Sequence, residues 1–378
     1  MTGTVALFVW GAAQLGGAER RFFRLFNHLA AMGLDIQLIT TPEGVAACRA
    51  LGISLSGRKV HVLGGDPATR RRFKRHFAAF GTTLALLGIV RRERIRHLHF
   101  GQNPGALTFL FALLSGFGCR FSVSLVDSVK AYQRNRRERL YARFTVRRAA
   151  RVDCLSEKIR ADLATFMGAD DPGKYVVAPC SVTEPRDVDP AAARDVDVAM
   201  ISRMVPQKGH ALLRDALAEL SRAGRTGLRV HVCGSGPLEA QLRRDFAALP
   251  DQVVQVYYLE DAFALLARSR IFVSLQDVEN YPSQSLLEAM SSECAIVATD
   301  VGLTRLLLDE HSAILIPPAP AALAEAIRAL LDDEPRRREM GRNARQVVLA
   351  RQTIDRFAAY LANDLLGART ALQGRSGA

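Results

Sequence analysis

Two acidic side chains near residue 280 have the type and spacing to do chemistry. Glu279 and Glu288 stand on either side of a polar segment that contains Pro282 and Ser283. The apolar run before this segment predicts a strand, and the pattern after Ser283 predicts a helix that starts near residue 286. Glu288 is then expected in the first helical turn, where its carboxylate can accept two hydrogen bonds from a vicinal diol. An exposed loop before an ordinary helix is the alternative.

A pair of cationic side chains follows another strand-like run. Arg203 and Lys208 come directly after the apolar run 196–201, where a strand would end and a helix would begin. Two cations at such a place can neutralise a diphosphate, because guanidinium and ammonium groups both bind phosphate oxygens. The alternative is that both are solvated surface charges.

Glycines occur at two further corners of this kind. Gly16 and Gly17 lie between the first strand-like run and the first helix-like segment, where backbone N–H groups can approach a phosphate. Gly234 and Gly236 follow the run 229–233 and can border a nucleotide. A tight turn without a ligand is the alternative at both corners. The first loop lacks the G-x-G-x-x-G spacing of a dinucleotide fingerprint and the G-K-[ST] of a P-loop.

Strand-like and helix-like segments alternate along the chain, which predicts parallel sheets covered by helices. A polar, proline-containing stretch at 181–190 interrupts this rhythm, and the second half restarts it. We therefore expect an α/β fold of two doubly wound, Rossmann-like domains, with a ligand cleft at the carboxyl ends of their strands. The apolar run 105–118 is too short to span a bilayer and is expected to form a buried helix.

The formal net charge of +13 is concentrated in the first half of the chain. Residues 1–185 carry 28 Lys and Arg against 13 Asp and Glu, with clusters at 70–76, 91–96 and 134–139. Such a surface suits an anionic partner, which can be membrane lipid, nucleic acid or a phosphorylated substrate. No nucleic-acid recognition motif accompanies the charge, so we expect no nucleic-acid partner. A merely solvated basic surface is the alternative.

The cysteines and the first residues bear on the cellular compartment. Six cysteines are scattered without a C-x-x-C pair, which argues against a disulfide framework or a zinc site and favours a reducing environment. The first residues lack the features of a signal peptide. We expect a cytoplasmic protein with peripheral contact at the inner face of the plasma membrane, where Phe73, Phe77 and Phe80 can insert beside the 70–76 cluster.

Five short motifs occur in order along the chain. They are GGAER at 16–20, R-x4-KG at 203–209, GSGP at 234–237, ENYP with LLEAM at 279–290, and ATDVG at 298–302. Together they resemble the retaining glycosyltransferases of family four, which have the GT-B fold. The resemblance covers roughly the first 350 residues. It implies that the C-terminal domain binds a nucleotide-sugar donor, that the N-terminal domain binds the acceptor, and that the last helix crosses back onto the N-terminal domain.

The resemblance implies a role for each matching residue in contacts with the donor. Contacts to the diphosphate are expected from Gly16, Gly17, Arg203 and Lys208. Contacts to the sugar are expected from Glu279, Asn280, Tyr281, Pro282 and Ser283. The proline acts through its position alone, because it has no N–H. Contacts to the ribose or the base are expected from Glu288, Gly234 and Gly236.

The chain departs from the family pattern at two places. The family has seven residues between the paired acids, and here eight separate Glu279 from Glu288, so the sugar contacts are expected to shift by one position. The family often has a histidine after a middle strand of its first domain, and Asp127 lies near the matching place. Asp127 and His99 are the candidates for that role. With Glu279 they form the set of candidate catalytic residues.

Two Asp-x-Asp pairs, at 187–189 and 195–197, resemble the metal-binding motif of a different glycosyltransferase fold. The first falls in the linker and the second enters a strand, so we interpret both as chance matches. The leaving diphosphate is instead expected to be neutralised by Arg203, Lys208 and helix amino termini. The family implies a same-face attack in which the departing phosphate acts as the base.

The sequence therefore predicts a metal-independent, retaining glycosyltransferase of the hexosyltransferase type, without a cofactor. Its partners are a nucleotide diphosphate-sugar donor and a hydroxyl of a glycan or lipid-linked acceptor in bacterial surface polysaccharide or glycolipid synthesis. The alternatives are a nucleotide-sugar epimerase on the same fold and a non-catalytic, glycosyltransferase-like binding protein. The sequence leaves open the sugar, the nucleotide, the acceptor and the oligomeric state.

The expected domain boundaries follow the linker and the last helical pattern. They give an acceptor-binding domain at 1–183, a linker at 184–194, a nucleotide-sugar-binding domain at 195–350, a crossing helix at 351–368 and a tail at 369–378.

Overall fold

The computed structural model divides the chain into two compact units. One comprises residues 1–182 together with 354–378, and the other comprises residues 183–353. The structure describes residues 4–11, 17–50, 52–64, 75–116, 118–126, 129, 135–178, 184–189, 191–259, 261–278 and 283–365.

The first unit is built on seven parallel strands in the order β3-β2-β1-β4-β5-β6-β7. The strands are β1 (Val5–Phe8), β2 (Ile36–Thr40), β3 (Val60–Val62), β4 (His97–Phe100), β5 (Arg120–Leu125), β6 (Arg151–Cys154) and β7 (Tyr175–Val177). The helices between them are α1 (Gly17–Ala31), α2 (Pro42–Ala50), α3 (Arg75–Arg92), α4 (Ala106–Leu114), α5 (Arg136–Arg148) and α6 (Glu157–Met167). The central strands are buried on both faces, because helices cover both sides of a parallel sheet.

The strand order changes direction at β1, and this places the helices in two layers. Right-handed crossovers put α1 and α2 on one face of the sheet and α3, α4 and α5 on the other. The packing agrees with this assignment, because α4 lies between α3 and α5 and touches both.

The second unit is built on six parallel strands in the order β10-β9-β8-β11-β12-β13. The strands are β8 (Val196–Ile201), β9 (Arg229–Cys233), β10 (Val253–Tyr257), β11 (Ser269–Ser274), β12 (Ala295–Thr299) and β13 (Ala313–Ile316). The helices are α7 (His210–Arg222), α8 (Glu239–Ala247), α9 (Ala262–Leu266), α10 (Gln284–Ser291), α11 (Pro320–Asp332) and α12 (Glu334–Arg351). A short 3-10 turn, Pro206–Lys208, follows β8.

The prediction of two doubly wound parallel sheets is confirmed. In the second unit each strand lies within two residues of the apolar run that predicted it. The strand that the sequence did not reveal is β3, whose three side chains are half-buried or exposed. An edge strand of this kind carries too little apolar contrast to be recognised by periodicity.

The apolar run 105–118 differs from the expectation of a buried helix. It forms α4, which buries Phe111 and Ala112 against the sheet but exposes Leu113 and Leu114 at its carboxyl end. No helix in the described part of the chain is long and apolar enough to cross a membrane.

The last helix packs on the first unit. The chain ends in α13 (Ile354–Tyr360) and a π-helical turn (Leu361–Leu365). The ring of Phe357 lies edge-on to Phe22 of α1 with 6.2 Å between their centroids, and Asp355 lies 2.9 Å from His28. The helix begins at residue 354 rather than 351, because α12 continues to Arg351 and a short break follows it.

A chain of polar side chains crosses the buried interior of the first sheet. The Oγ atom of Ser122 lies 2.9 Å from Nε2 of His97 and 2.9 Å from Nδ1 of His99. The Oγ atom of Ser124 lies 3.0 Å from Nε2 of His99 and donates to Asp153 at 3.4 Å. These hydrogen bonds offset the cost of burying polar groups between the helix layers.

Tyr360 of α13 completes this polar chain. Its hydroxyl donates to Oδ1 of Asp153 at 2.6 Å. Burial raises the pKa of Asp153 to about 7, although the hydrogen bonds from Tyr360 and Ser124 act in the opposite direction. Burial lowers the pKa of His97 to about 4 and that of His99 to about 3, so both rings are neutral at pH 7.

Replacing Tyr360 by Phe tests the tie between α13 and the sheet. We expect the free energy of unfolding to fall by about 1–3 kcal/mol, because buried Asp153 loses a donor while the ring remains. The control is Tyr141→Phe, which keeps the stack of the Tyr141 ring on Phe109 at 4.5 Å and should change stability by less than about 0.5 kcal/mol. Urea unfolding measures both, and equal losses would contradict the assigned role.

Candidate functional site

The second sheet changes its winding direction between two neighbouring strands, β8 and β11. The chain moves from β8 through β9 to β10 on one side, and then returns to β11, β12 and β13 on the other. The loops that leave the carboxyl ends of β8 and β11 therefore diverge, and open α/β sheets bind ligands at such a switch point. Arg203 and Lys208 follow β8, whereas Ser283 and Glu288 follow β11.

Gly209 allows the loop after β8 to pack closely against the backbone at the end of β11. It has φ +74°, and a Cβ atom added there would lie 1.9 Å from the carbonyl oxygen of Leu275. Only glycine permits this approach. The N–H of Asp277 also donates to the carbonyl of Gln207 at 3.3 Å. Backbone contacts on both sides of Lys208 thus fix the position from which its side chain extends.

The loop after β9 packs against the same loop. The N–H of Met204 donates to the carbonyl of Ser235 at 2.8 Å. Gly234 has φ +148°, and a Cβ atom added there would lie 1.9 Å from the carbonyl oxygen of Ser202. Gly236 lies in the same turn, beside Met204. The glycines are therefore needed for close backbone packing, and their contact with a nucleotide stays a prediction.

Lys208 and Arg203 bring two positive charges to this edge of the sheet. The Nζ atom of Lys208 donates to Oε1 of Gln276 at 3.2 Å. Burial and the neighbouring Arg203 guanidinium lower the pKa of Lys208 to about 8, while Asp277 acts in the opposite direction. Arg203 is exposed and forms no ion pair within the part of the chain that the structure describes. An anion bound between the two cations would relieve their repulsion.

Glu288 lies in α10, on the β11 side of the site. Because α10 begins at Gln284, Glu288 is in its second turn and not in the first turn, where the sequence pattern placed it. The residue is 9% exposed, and Nε2 of Gln284 donates to its Oε1 atom at 3.4 Å. A carboxylate has about four acceptor positions, so Glu288 can accept further hydrogen bonds.

Two arginines hold the carboxyl end of α10. Arg194 donates to the carbonyl of Ser292 at 2.8 Å, and Arg345 donates to the carbonyl of Ser291. Cations at this end of a helix stabilise it, because they meet its partial negative charge. Neither arginine could be predicted from the sequence, since their partners lie 98 and 54 residues away along the chain.

A small pocket lies between the loops after β8 and β11. It is partly open to solvent. Its polar lining comes from Ser202, Lys208, Ser274, Gln276, Ser283 and Ser285. The pocket brings together two residues expected from the sequence, Lys208 and Ser283. Gln276 was missed, although its place directly after a buried strand is the signal that could have revealed it.

Comparison with family models identifies both units. The model described as "Glycosyl transferase 4-like domain" matches residues 16–181, and the model described as "Glycosyl transferases group 1" matches residues 195–333. The chain belongs to the group 1 glycosyltransferases.

Curated relatives of this family are distant in sequence. The alpha-D-kanosaminyltransferase of Streptomyces kanamyceticus is 27% identical over 241 residues, which cover 58% of this chain and 61% of that protein. The chain thus spans less than two thirds of that relative. The D-inositol 3-phosphate glycosyltransferase of Corynebacterium glutamicum (strain R) is 24% identical, and the match covers 88% of each chain.

A solved structure from Anabaena shares the fold. The protein, HepE in complex with UDP, superposes with a TM-score of 0.73 at 15% identity, over 96% of this chain and all of that one. Identity this low supports the architecture alone.

Six residues expected to contact substrate from the family pattern lie outside the described residues. They are Gly16, Asp127, Glu279, Asn280, Tyr281 and Pro282. Gly17 is the first residue of α1, and Ser283 directly precedes α10.

His99 does not fit the catalytic role expected of it. It lies on β4 without exposed surface, and Ser122 and Ser124 lie within hydrogen-bond distance of its two ring nitrogens. A general base must reach the proton that it takes from the substrate. The structure therefore makes His99 a core residue of the first sheet.

Three of the four aspartates in the Asp-x-Asp pairs make other contacts. Asp195 and Asp197 form ion pairs of 2.5 Å with Arg268 and Arg270. Asp189 accepts a hydrogen bond of 2.9 Å from the N–H of Ala191. These contacts agree with the interpretation of both pairs as chance matches.

Replacing Gly234 by Ala is expected to displace the loop after β8, because the new Cβ atom would overlap the Ser202 carbonyl. We expect a lower melting temperature than that of the wild type. Gly224→Ala is the control, because it has φ +79° with nothing within 4 Å of the added atom. It carries conformational strain of about 1–2 kcal/mol without the overlap. Differential scanning calorimetry makes the measurement, and equal melting temperatures in the two variants would contradict the expectation.

Proposed function

We propose that the protein is a retaining glycosyltransferase whose second unit binds a nucleotide diphosphate-sugar. The observation that carries the proposal is the pair Arg203 and Lys208 at the switch point of the second sheet. Burial and repulsion from Arg203 disfavour the positive charge on Lys208. A bound diphosphate would place negative charge beside both cations and stabilise them. Membership of the group 1 glycosyltransferases supports this choice of anion. UDP, bound by the Anabaena protein, is the first nucleotide to test.

The remaining donor contacts are assigned by position along the loops. Glu288 accepts hydrogen bonds from the ribose diol, because its carboxylate lies on the α10 side of the same switch point. Gly234 and Gly236 border the nucleotide. Residues 279–283, which precede α10, hold the sugar.

The reaction moves a sugar from the donor to a hydroxyl of the acceptor. The hydroxyl oxygen bonds to the anomeric carbon while the bond from that carbon to the diphosphate oxygen breaks. The leaving diphosphate gains negative charge, which Arg203 and Lys208 stabilise without a metal ion in this proposal. In the same-face course, the leaving oxygen also accepts the proton of the attacking hydroxyl. The products are the glycosylated acceptor and the nucleoside diphosphate.

The first unit is assigned the acceptor, a glycan or a lipid-linked glycan at the inner face of the membrane. Residues 1–185 contain 28 basic and 13 acidic residues. This positive charge supports the proposal that the protein acts at an anionic membrane surface. Of the three phenylalanines expected to insert there, Phe80 is 45% exposed. Phe73 and the side chain of Phe77 lie outside the described residues.

Two substitutions test the donor site. Lys208→Met removes a diphosphate contact and Glu288→Gln weakens the acceptor for the ribose diol, so each should reduce UDP affinity at least tenfold. Glu325→Gln, at an exposed position paired with Arg328 in α11, is the control and should bind as the wild type does. Isothermal titration calorimetry makes the measurement. Unchanged affinity in the two site variants would refute the assignment.

The same preparation separates the proposed transfer from epimerisation. A nucleotide sugar labelled in its sugar is incubated without an acceptor, and the products are separated by chromatography. An epimerase would convert the sugar while it stays on the nucleotide, and a transferase leaves it unconverted. A thermal-shift screen with UDP-, GDP- and ADP-sugars identifies the nucleotide beforehand.

The lowered pKa of Lys208 predicts how donor affinity depends on pH. In the free protein Lys208 loses its proton near pH 8, whereas a bound diphosphate favours the charged form. UDP affinity should therefore be flat between about pH 7 and about pH 8 and fall above that, with uptake of a proton on binding. Lys208→Arg keeps its charge and should remove the fall. Identical pH profiles in the two proteins would exclude Lys208 as the titrating group.

A further inference from the structure

The amino edge of the first sheet carries a charged surface that the proposed donor site does not use. Helices α3, α4 and α5 run antiparallel to the strands that they connect, so their carboxyl ends lie at the edge where the strands begin. Exposed arginines collect at these helix ends and strand starts. They are Arg91, Arg92, Arg94, Arg96, Arg120, Arg147 and Arg148, which we call the amino-edge patch.

Most arginines of the amino-edge patch form no ion pair with a described residue. Glu93 is the acidic residue in the segment 91–96, and its carboxylate forms an ion pair of 2.9 Å with Arg92. Arg148 donates to the carbonyl of Gly116 at 3.0 Å, which ties it to the end of α4. The other five guanidinium groups form no ion pair within the described ranges of the chain. A concentration of like charge on one edge attracts an anionic partner.

Apolar side chains lie among these arginines. Leu113 and Leu114 end α4, which lies between α3 and α5, and they are 53% and 36% exposed. Leu84 of α3 is 49% exposed and lies two helical turns before Arg91 on the same face. Leucines bordered by arginines fit a surface that has phosphate groups above a hydrocarbon phase.

Arg94 is held in a backbone conformation that residues other than glycine seldom adopt. It has φ +53° and lies two residues after Arg92, the last residue of α3. The N–H of Ile95 donates back to the carbonyl of Val90 at 2.9 Å, which is the hydrogen-bond pattern of a helix end that usually carries glycine. An arginine here adds charge to the patch in a strained conformation, and such strain is typical of residues that serve binding.

We propose that the amino-edge patch docks the protein on a bilayer that contains anionic phospholipid. The arginines bind headgroup phosphates, and the leucines enter the interface. A nucleic acid would use the arginines without the leucines, and a second copy of the chain would set arginines against arginines. This surface refines the membrane contact proposed above and does not depend on the 70–76 cluster. With the amino edge on the bilayer, the opposite edge of the sheet, where α1 begins, faces away from it, which favours an acceptor glycan long enough to reach that edge over a sugar held at the headgroups.

Flotation of the full-length protein with vesicles tests the proposal. The vesicles are phosphatidylcholine alone, or phosphatidylcholine with about one third phosphatidylglycerol. We expect binding to the anionic vesicles at low salt and loss of binding at high salt. A triple variant, Arg94→Gly with Arg120→Gln and Arg147→Gln, should lower the partition coefficient at least tenfold.

A matched control removes the same charge elsewhere. Arg222→Gln with Arg244→Gln and Arg342→Gln changes three exposed arginines of the second unit and should float as the wild type does. Equal loss of binding in the two triple variants would overturn the proposal, as would equal binding of the wild type to neutral and anionic vesicles. Absence of binding to either vesicle would also overturn it.

Two further variants separate the partner classes. Leu113→Asn with Leu114→Asn leaves the charge unchanged and should weaken vesicle binding several-fold. If a short RNA duplex binds the patch and the leucine variant is unaffected, the surface belongs to nucleic acid and the proposal fails. Arg94→Gly alone should raise the melting temperature while it weakens vesicle binding. The thermal shift caused by UDP should be the same in all variants, which keeps this test independent of the donor site.

Discussion

The backbone contact between Gly209 and Leu275 is the constraint on which the carboxyl edge of the second sheet depends. The added-atom distance of 1.9 Å shows that Gly209 already touches the carbonyl of Leu275. Lys208 precedes one partner of this contact and Gln276 follows the other, so the cation and its hydrogen-bond acceptor are held in register. A second backbone contact, between Gly234 and Ser202, braces the same loop from the β9 side. The loops that carry the charged residues at the switch point are thus positioned by backbone contacts, which do not depend on side-chain rotamers.

The two units use their buried polar groups in opposite ways. In the first sheet, the polar chain from His97 to Asp153 is satisfied by its own members and by Tyr360. Groups of this kind specify packing and leave no capacity for a ligand. At the switch point of the second sheet, Gln276 is the one hydrogen-bond acceptor of Lys208 among the described residues, and the cation Arg203 lies nearby. The contrast is a physical reason to look for substrate at Lys208 and not at His99.

The sequence predicts strands better than it predicts contacts between them. The apolar run at 196–201 coincides with β8 because this central strand is mostly buried, whereas β3 at the edge shows no such pattern. His99 was mistaken for a site residue because its partners, Ser122 and Ser124, are 23 and 25 residues away along the chain. The position of Arg203 and Lys208 at the edge of the sheet could be predicted because they follow a strand, where the fold itself brings side chains to an edge. The turn in which Glu288 lies could not be predicted, because it depends on where α10 starts.

The first unit contains residues from both ends of the chain, and this affects the order in which the protein can fold. Tyr360 is synthesised 207 residues after Asp153, its hydrogen-bond partner. The whole second unit, residues 183–353, emerges from the ribosome between them. During synthesis Phe22 of α1 is therefore not covered by the ring of Phe357 until the end of the chain is made. Apolar surface that is exposed in this way promotes aggregation. The second unit is continuous in sequence and can finish folding first, so α13 acts as the closing element of a domain that was begun earlier.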